Sequence, residues 1–236
     1  MADTTPATLE AAIAASPASL RVALRETILF AELDDEQLER IAIAGSVMSL
    51  RRGVVLFEEG DEPGEFYLVL SGRVAIAQES TDGRESLLAV LGPGELFGEM
   101  AFLDGYNRSA QARALEESSV LMVPYEELRR LYEDTPAALW SAVQLLARRL
   151  RAMDRALSDT VFLDVMGRTA KRLLDMAGDR DEFEMPLTQE ELASMVGASR
   201  ERVNKAIHAF EKLGWVTHDQ RRYKITNRRN LEIRAR

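Results

Sequence analysis

The chain contains no cysteine, and histidine occurs only at His208 and His218. Without thiols there are no disulfides, thiolate zinc sites or cysteine-ligated iron–sulfur clusters. Two histidines leave little for a multi-histidine metal centre, and neither sits in a recognisable triad or metal-ligand spacing. These absences argue against an enzyme. No apolar run approaches the roughly 20 residues that cross a bilayer. Residues 1–20 carry Asp3 and Glu10 but no basic residue, unlike the start of a signal peptide. The expectation is a soluble, cytoplasmic, non-enzymatic protein without a membrane partner.

What the chain does have is charge, unevenly spread. The net charge is −9 over 236 residues. Residues 1–165 hold 15 basic and 28 acidic residues, a net of −13, whereas residues 166–236 hold 15 and 11, a net of +4. An acidic front and a basic back imply two jobs, with an anionic partner for the back.

The texture of the sequence divides the same way. Residues 1–18 are rich in Ala, Ser, Thr and Pro and read as a poorly ordered tail. A helical pattern follows, with Leu33, Leu38 and Ile41 near its end. From about Val47 to Pro124, short apolar stretches such as Phe66-Tyr67-Leu68-Val69-Leu70 are cut by frequent glycines. Strands of that length with such turns predict a small antiparallel barrel or roll. From Pro136 to Asp159 there is no glycine and no further proline. Leu139, Val143, Leu146, Leu150, Met153 and Leu157 recur at alternating steps of four and three. That is a heptad seam, which buries itself best against a second helix, so it predicts a homodimer. The competing reading is a helix packed on its own barrel. Asp164 is placed to cap a further helix over 165–177.

In the basic segment, Thr188-Gln189-Glu190-Glu191 reads as a capping box opening a helix with Leu192, Ala193 and Val196. Gly197 supplies a left-handed turn. Ser199 caps a second helix carrying Val203, Ile207 and Phe210. Two short helices joined by a glycine turn match a helix-turn-helix, whose second helix meets base edges in the major groove. Arg200, Glu201, Asn204 and Lys205 fall on its outward face, suited to guanine and cytosine readout. Segments 215–217 and 223–226 flank residues 218–222 as a β-hairpin wing, from which Arg221, Arg222 and Lys224 would meet phosphates. The alternative is a helical hairpin with a solvated charged face.

One segment of the front half stands apart: Phe97-Gly98-Glu99-Met100-Ala101-Phe102-Leu103-Asp104-Gly105-Tyr106-Asn107-Arg108-Ser109-Ala110. Gly98 lets backbone approach a ligand closely, Glu99 offers a carboxylate to a ribose hydroxyl, and Arg108 with Ser109 offers a fork and a hydroxyl to a phosphate. On these residues alone, a surface loop with a structural Arg–Glu pair fits as well.

This segment resembles the phosphate-binding cassette of the catabolite activator protein branch of the cAMP-receptor/fumarate-nitrate regulator family of bacterial transcription factors. Ala147-Arg148-Arg149-Leu150, Phe162-Leu163-Asp164-Val165, Gly167-Arg168, Leu187-Thr188-Gln189-Glu190 and Val196-Gly197-Ala198-Ser199-Arg200-Glu201 follow in the family's order, and the resemblance covers roughly residues 24–228. It implies an α+β chain: a flexible tail (1–20), an N-terminal β-roll of cyclic-nucleotide-binding type with flanking helices (21–135), a long dimerisation helix (136–160), a hinge (161–167) and a C-terminal winged helix-turn-helix (168–236). It implies cAMP as effector, with cGMP, another nucleotide or action without a ligand as the alternatives. It also implies a homodimer on double-stranded DNA with a two-fold symmetric site, touching RNA polymerase. The nucleotide site carried over is Gly98, Glu99, Met100, Arg108, Ser109, Arg149, Met153 and Asp154. The DNA-facing set is Thr188, Ser199, Arg200, Glu201, Asn204, Lys205, Arg221, Arg222 and Lys224. Two departures stand out. Lys205 takes the place of an arginine, losing a planar fork. Met153 and Asp154 occupy positions where cAMP-responsive members carry a Thr–Ser-like pair that contacts the adenine amino group. Asp154 suits adenine N6, and equally the two donors of guanine. Within the family, the lack of cysteine excludes iron–sulfur oxygen sensors, and the lack of histidine before residue 208 argues against a His-ligated haem. A nucleotide-binding regulatory subunit of an enzyme is the rival reading from another class, against which the helix-turn-helix argues.

Overall fold

The computed structural model describes residues 16–80 and 85–236. The expected tail over 1–20 lies mostly outside the described residues. Ser16 already caps helix α1 (Pro17–Arg25), accepting from the Ser19 amide at 3.2 Å, and Pro17 occupies the first turn, where its missing N–H costs nothing. Leu20 and Leu24 point inward. A 3-10 turn (Ile28–Phe30) buries Leu29 and Phe30. Helix α2 (Asp35–Ala44) opens on a capping box: Asp34 accepts from the Gln37 amide at 2.9 Å, and the Gln37 side chain accepts from the Asp34 amide at 3.1 Å. The single helical pattern read before Val47 is therefore two helices and a turn.

Eight strands follow: β1 (Ser46–Leu50), β2 (Val55–Phe57), β3 (Glu65–Ser71), β4 (Val74–Glu79), β5 (Glu85–Leu91), β6 (Leu96–Phe97), β7 (Gln111–Ala114) and β8 (Ser118–Pro124). They form two four-stranded sheets, in the orders β1-β8-β3-β6 and β2-β7-β4-β5. Strand β3 is the central piece of the first sheet. It pairs antiparallel with β8, placing Phe66 opposite Val123 and Leu68 opposite Leu121. Phe66, Tyr67, Leu68 and Val69 are all buried, so both faces of the strand are covered. That explains why its sequence is a continuous apolar run instead of an alternation. Phe66 and Leu68 join the core made by α1, α2, α4 (Tyr125–Asp134) and the start of α5 (Leu139–Phe162). Tyr67, on the other face, stacks on Phe97 at 5.1 Å and lies 5.8 Å from Phe57. A short helix, α3 (Met100–Asp104), connects β6 to the Arg108 segment.

Helix α5 begins after a 3-10 turn (Pro136–Ala138) and remains helical to Phe162. Ser141 and Ala142 near its start are buried. The heptad residues are not: Leu139, Val143, Leu146, Leu150, Met153 and Leu157 are exposed, from 41% at Leu146 to 67% at Met153. The seam is thus open along the length of the helix.

In the remaining unit, Asp164 caps α6 (Val165–Ala177) by accepting from the Gly167 amide at 2.8 Å. Strand β9 (Glu182–Glu184) leads to α7 (Gln189–Val196) and α8 (Arg200–Lys212). Strands β10 (Val216–Asp219) and β11 (Arg222–Ile225) pair antiparallel, with Asp219 opposite Arg222. The turn is therefore only Gln220-Arg221, tighter than the five residues read as turn from sequence. Gln220 takes the left-handed conformation there, with φ +53°. Strand β9 adds to β11, completing a three-stranded sheet, and α9 (Arg228–Arg234) closes the chain on α6. Among the described residues, no helix is long and apolar enough to cross a membrane.

Candidate functional site

Backbone geometry first brings the cassette together. Gly98 has φ +80°, where a side chain would be strained, and an added Cβ would lie 2.8 Å from Arg108 Nη1. The close approach that this glycine permits is thus to the Arg108 guanidinium. The Arg108 segment is stitched to the turn after β2: the Gly60 amide donates to the Arg108 carbonyl at 2.8 Å, and the Arg108 amide donates to the Asp61 carbonyl at 3.0 Å. The Asn107 side chain adds a bond to the Gly60 carbonyl at 2.9 Å.

Arg108 is 3% exposed, unusual for a cation. Its Nη1 donates to the Gly98 carbonyl at 2.8 Å and to the Tyr125 hydroxyl at 3.0 Å. Its Nη2 donates to the Glu65 carbonyl at 2.8 Å and to Glu65 Oε1 at 3.2 Å. The planar group also lies over the Phe57 ring at 4.1 Å, where the negative face of the ring favours a cation. Among the described residues, Arg108 Nε has no hydrogen-bond partner. The Tyr125 hydroxyl donates in turn to the Gly98 carbonyl, and burial pushes that hydroxyl up to about 12 despite the nearby Arg108.

Glu99 is 1% exposed. Arg149 from α5 brings Nη2 to 2.8 Å from Oε1 and donates from the same nitrogen to the Leu96 carbonyl at 2.7 Å. The ion pair is close, but neither carboxylate oxygen of Glu99 has a partner in hydrogen-bond geometry among the described residues. Burial raises the carboxyl above its ordinary range, and Arg149 opposes that rise. Ser109 and Met100 are exposed beside this pair. Gly98, Glu99, Arg108 and Arg149 are thus gathered by β6, α3 and α5. Met153 and Asp154 lie further along α5, on its exposed surface.

Sequence reasoning missed Glu65, Tyr67 and Tyr125. Period-two alternation on β3 puts Glu65 and Tyr67 on the same face, and Tyr67 donates its hydroxyl to Glu65 Oε1 at 2.7 Å. That alternation was the available signal for Glu65. For Tyr125, at the start of a helix, there was none.

In the second unit, local signals place the residues expected from sequence to face DNA. Thr188 accepts from the Glu191 amide at 3.2 Å while its own amide donates to Glu191 Oε2 at 2.6 Å. Gly197 closes α7 at φ +68°, and Ser199 caps α8. Val203, Ile207 and Phe210 are buried, so Arg200, Glu201 and Lys205 emerge on the opposite side, with Asn204 half-buried. Lys205 Nζ is 2.7 Å from Glu201 Oε1, one turn away, with both side chains 75% exposed. On the wing, Arg222 is exposed and Lys224 pairs with Glu182 at 2.6 Å. Arg221 turns inward: Nε and Nη2 donate to the Met185 carbonyl at 2.9 and 2.7 Å, and Nη2 also to the Pro186 carbonyl at 2.6 Å. It fastens the wing to the segment before α7.

A roll with buried, paired Arg and Glu in a glycine-turned cassette, joined by a long helix to a winged helix-turn-helix, defines a ligand-responsive DNA-binding regulator. Residues 47–135 match the family model for the cyclic nucleotide-binding domain, and residues 167–234 match that for the Crp-like helix-turn-helix domain. The chain is 38% identical over 192 residues to the "CRP-like cAMP-activated global transcriptional regulator" of Mycobacterium tuberculosis, covering 78% of this chain and 86% of that one. Among solved structures, it resembles the catabolite activator protein of Thermus thermophilus (34% identity, TM-score 0.51, 89% of this chain and 98% of that one). It also resembles the c-di-GMP-responsive global regulator CLP of Xanthomonas campestris (27% identity, TM-score 0.69, 81% and 99%). The chain belongs to the cAMP-receptor/fumarate-nitrate (Crp/Fnr) family of transcription regulators.

Proposed function

We propose that the chain is a homodimeric transcription regulator whose roll binds cAMP and whose second helix-turn-helix helix, α8, reads a two-fold symmetric site in double-stranded DNA, with RNA polymerase as a further partner. The observation that carries the ligand reading is the pair of buried, incompletely satisfied groups in the cassette: both Glu99 carboxylate oxygens and Arg108 Nε. A buried polar atom without a partner costs about 1–3 kcal/mol. A sugar hydroxyl and an anionic phosphate supply the donor and the acceptor that these atoms lack. In this reading Gly98 and Glu99 hold the ribose, with Met100 beside them. Arg108 and Ser109 hold the cyclic phosphate. Arg149 reaches the same site from α5.

The exposed heptad seam supports the dimer reading. Six large apolar side chains on one stripe of a helix are costly in water at about 25 cal/mol per Å2. A second α5 covers them and brings Met153 and Asp154 to the ligand's base from the helix pair. In the head, Arg200, Glu201, Asn204 and Lys205 take base edges, Thr188 and Ser199 lie at the helix starts facing the backbone, and Arg222 and Lys224 take phosphates. The inward bonds of Arg221 make it a wing fastener in this reading.

The test is calorimetric titration of the full chain with cAMP, cGMP and cyclic di-GMP, followed by DNA binding with each. Binding of cAMP with an affinity at least tenfold above the other two supports the assignment, as does tighter DNA binding in its presence. Preference for cGMP would transfer the assignment to guanine recognition by Asp154. No binding of any nucleotide would refute the ligand reading.

A further inference from the structure

The phosphate-holding role assigned to Arg108 requires free donors, and most of its donors are taken. A guanidinium has five N–H groups. Four of them point to the Gly98 carbonyl, the Tyr125 hydroxyl, the Glu65 carbonyl and Glu65 Oε1. Three of those acceptors are neutral. The fourth is a carboxylate, held in place by the Tyr67 hydroxyl at 2.7 Å from the same oxygen. Glu65 is about one-third exposed on its side chain, whereas Arg108 is buried, so the carboxylate is the more solvent-facing member of the pair.

The charge balance makes this consequential. The cassette holds two cations, Arg108 and Arg149, and two anions, Glu65 and Glu99, all close together. Incoming phosphate thus meets a neutral cluster in which the arginine already has an anionic partner. Two anions share one guanidinium only at a repulsive cost, and that cost grows with the charge on the newcomer. A cyclic phosphodiester carries one negative charge. An open phosphomonoester carries nearly two at neutral pH, with a second pKa of about 6.

We propose that Glu65 is a specificity-determining residue of this site: by pairing with Arg108 it competes with the ligand phosphate and selects singly charged cyclic phosphodiesters over doubly charged phosphomonoesters. The inference rests on the assignment of the cassette to a nucleotide. Specificity comes here from an unfavourable element aimed at the wrong ligand, at some cost in affinity for the right one. Tyr67 is the positioning residue, since its hydroxyl fixes the carboxylate that faces Arg108.

The discriminating variant is Glu65→Gln, which keeps the shape and the oxygen that accepts from Tyr67 while removing the charge. The full chain, wild type and variant, is titrated with cAMP and with 5′-AMP, and thermal unfolding is followed without ligand. The variant should bind cAMP at least about fivefold more tightly than wild type, within the usual range of site coupling. It should gain more for 5′-AMP, so that the preference for the cyclic ligand narrows. Without ligand it should unfold at a lower temperature than wild type, because Arg108 loses its anionic partner. Tyr67→Phe should move both affinities the same way by less. If wild type binds cAMP and Glu65→Gln leaves the affinity and the cyclic-to-open ratio unchanged, Glu65 is not the determinant and the cassette assignment stands. If neither protein binds any nucleotide, the cassette assignment falls and this inference falls with it.

Discussion

The charged residues of the roll and those of the reading head are the same chemical types in opposite surroundings. Arg108 and Glu99 are 3% and 1% exposed; Arg108 is held by four fixed acceptor contacts, and Glu99 faces Arg149. Glu201 and Lys205 are both 75% exposed and pair with each other. Buried charges interact in a medium of low effective dielectric and are poorly screened by salt. Each unmet bond there is expensive, so such a site discriminates among ligands by what it leaves unpaired. Exposed charges are cheap to rearrange and strongly screened, which suits a surface that meets phosphates electrostatically and sorts bases by geometry. Under the proposed function, the roll would be selective before any ligand arrives, whereas the head would acquire its selectivity on contact with DNA.

The largest effect is expected where the two regions are joined. Leu150 lies mid-seam and exposed. Leu150→Glu places like charges in a paired seam, so the chain should sediment as a monomer and lose specific DNA binding. An intact dimer would remove the seam from the argument. Next, Arg108→Leu should weaken cyclic nucleotide binding by about 2–5 kcal/mol, the cost of stripping one partner from a buried charged contact. Because Arg108 also carries internal bonds, Arg108→Lys serves as the companion that keeps the charge. It should fall between wild type and Leu. In the head, Arg200→Ala should flatten the preference at one symmetric base position per half-site, at about 1–3 kcal/mol. Arg222→Ala should weaken all sequences alike and lower the salt slope by about 1. Measured as a function of salt, ligand binding by the roll should change far less than DNA binding by the head. Equal salt slopes would dissolve the contrast.

The sequence made some of this legible because some signals are local. The caps at Asp164, Thr188 and Ser199, the left-handed Gly197 and the apolar spacing of α7 and α8 lie within a few residues of what they determine. Family order added the cassette. The two-helix start of the chain was read as one pattern because a 3-10 turn interrupts it without any glycine or proline between Leu24 and Leu38. The inward turn of Arg221 and the Glu65–Arg108 pair escaped for a different reason. Arg221 finds its carbonyls 35 and 36 residues away and Glu65 meets Arg108 across 43, separations over which no periodicity carries information. A basic residue in a wing turn reads as a phosphate contact until its acceptors are seen.

The smallest expected effect tests the roll's side of the contrast without a ligand. Burial raises the Glu99 carboxyl, and Arg149 offsets only part of that rise. A carboxyl with a raised value in the folded state binds its proton more tightly than in the unfolded chain. By linkage, the stability it contributes is largest at acid pH and is lost as pH climbs from the ordinary carboxylate range, about 4, through the raised value. Above that window the fold carries an ionised, poorly bonded carboxylate. Glu99→Gln removes the charge with little change of shape, and Arg149, one-third exposed and bonded to the Leu96 carbonyl, still has solvent and that acceptor. The variant should therefore unfold at a higher temperature than wild type at pH 7 to 8, with the difference shrinking toward zero near about pH 4. The same substitution should weaken nucleotide binding, because an amide accepts a sugar hydroxyl less strongly than a carboxylate. A gain in stability paired with a loss of affinity is the signature of a group kept for its ligand. If Glu99→Gln instead lowers the unfolding temperature at neutral pH, the Glu99–Arg149 pair is a structural support, and the roll's buried charges hold the fold together more than they wait for a partner.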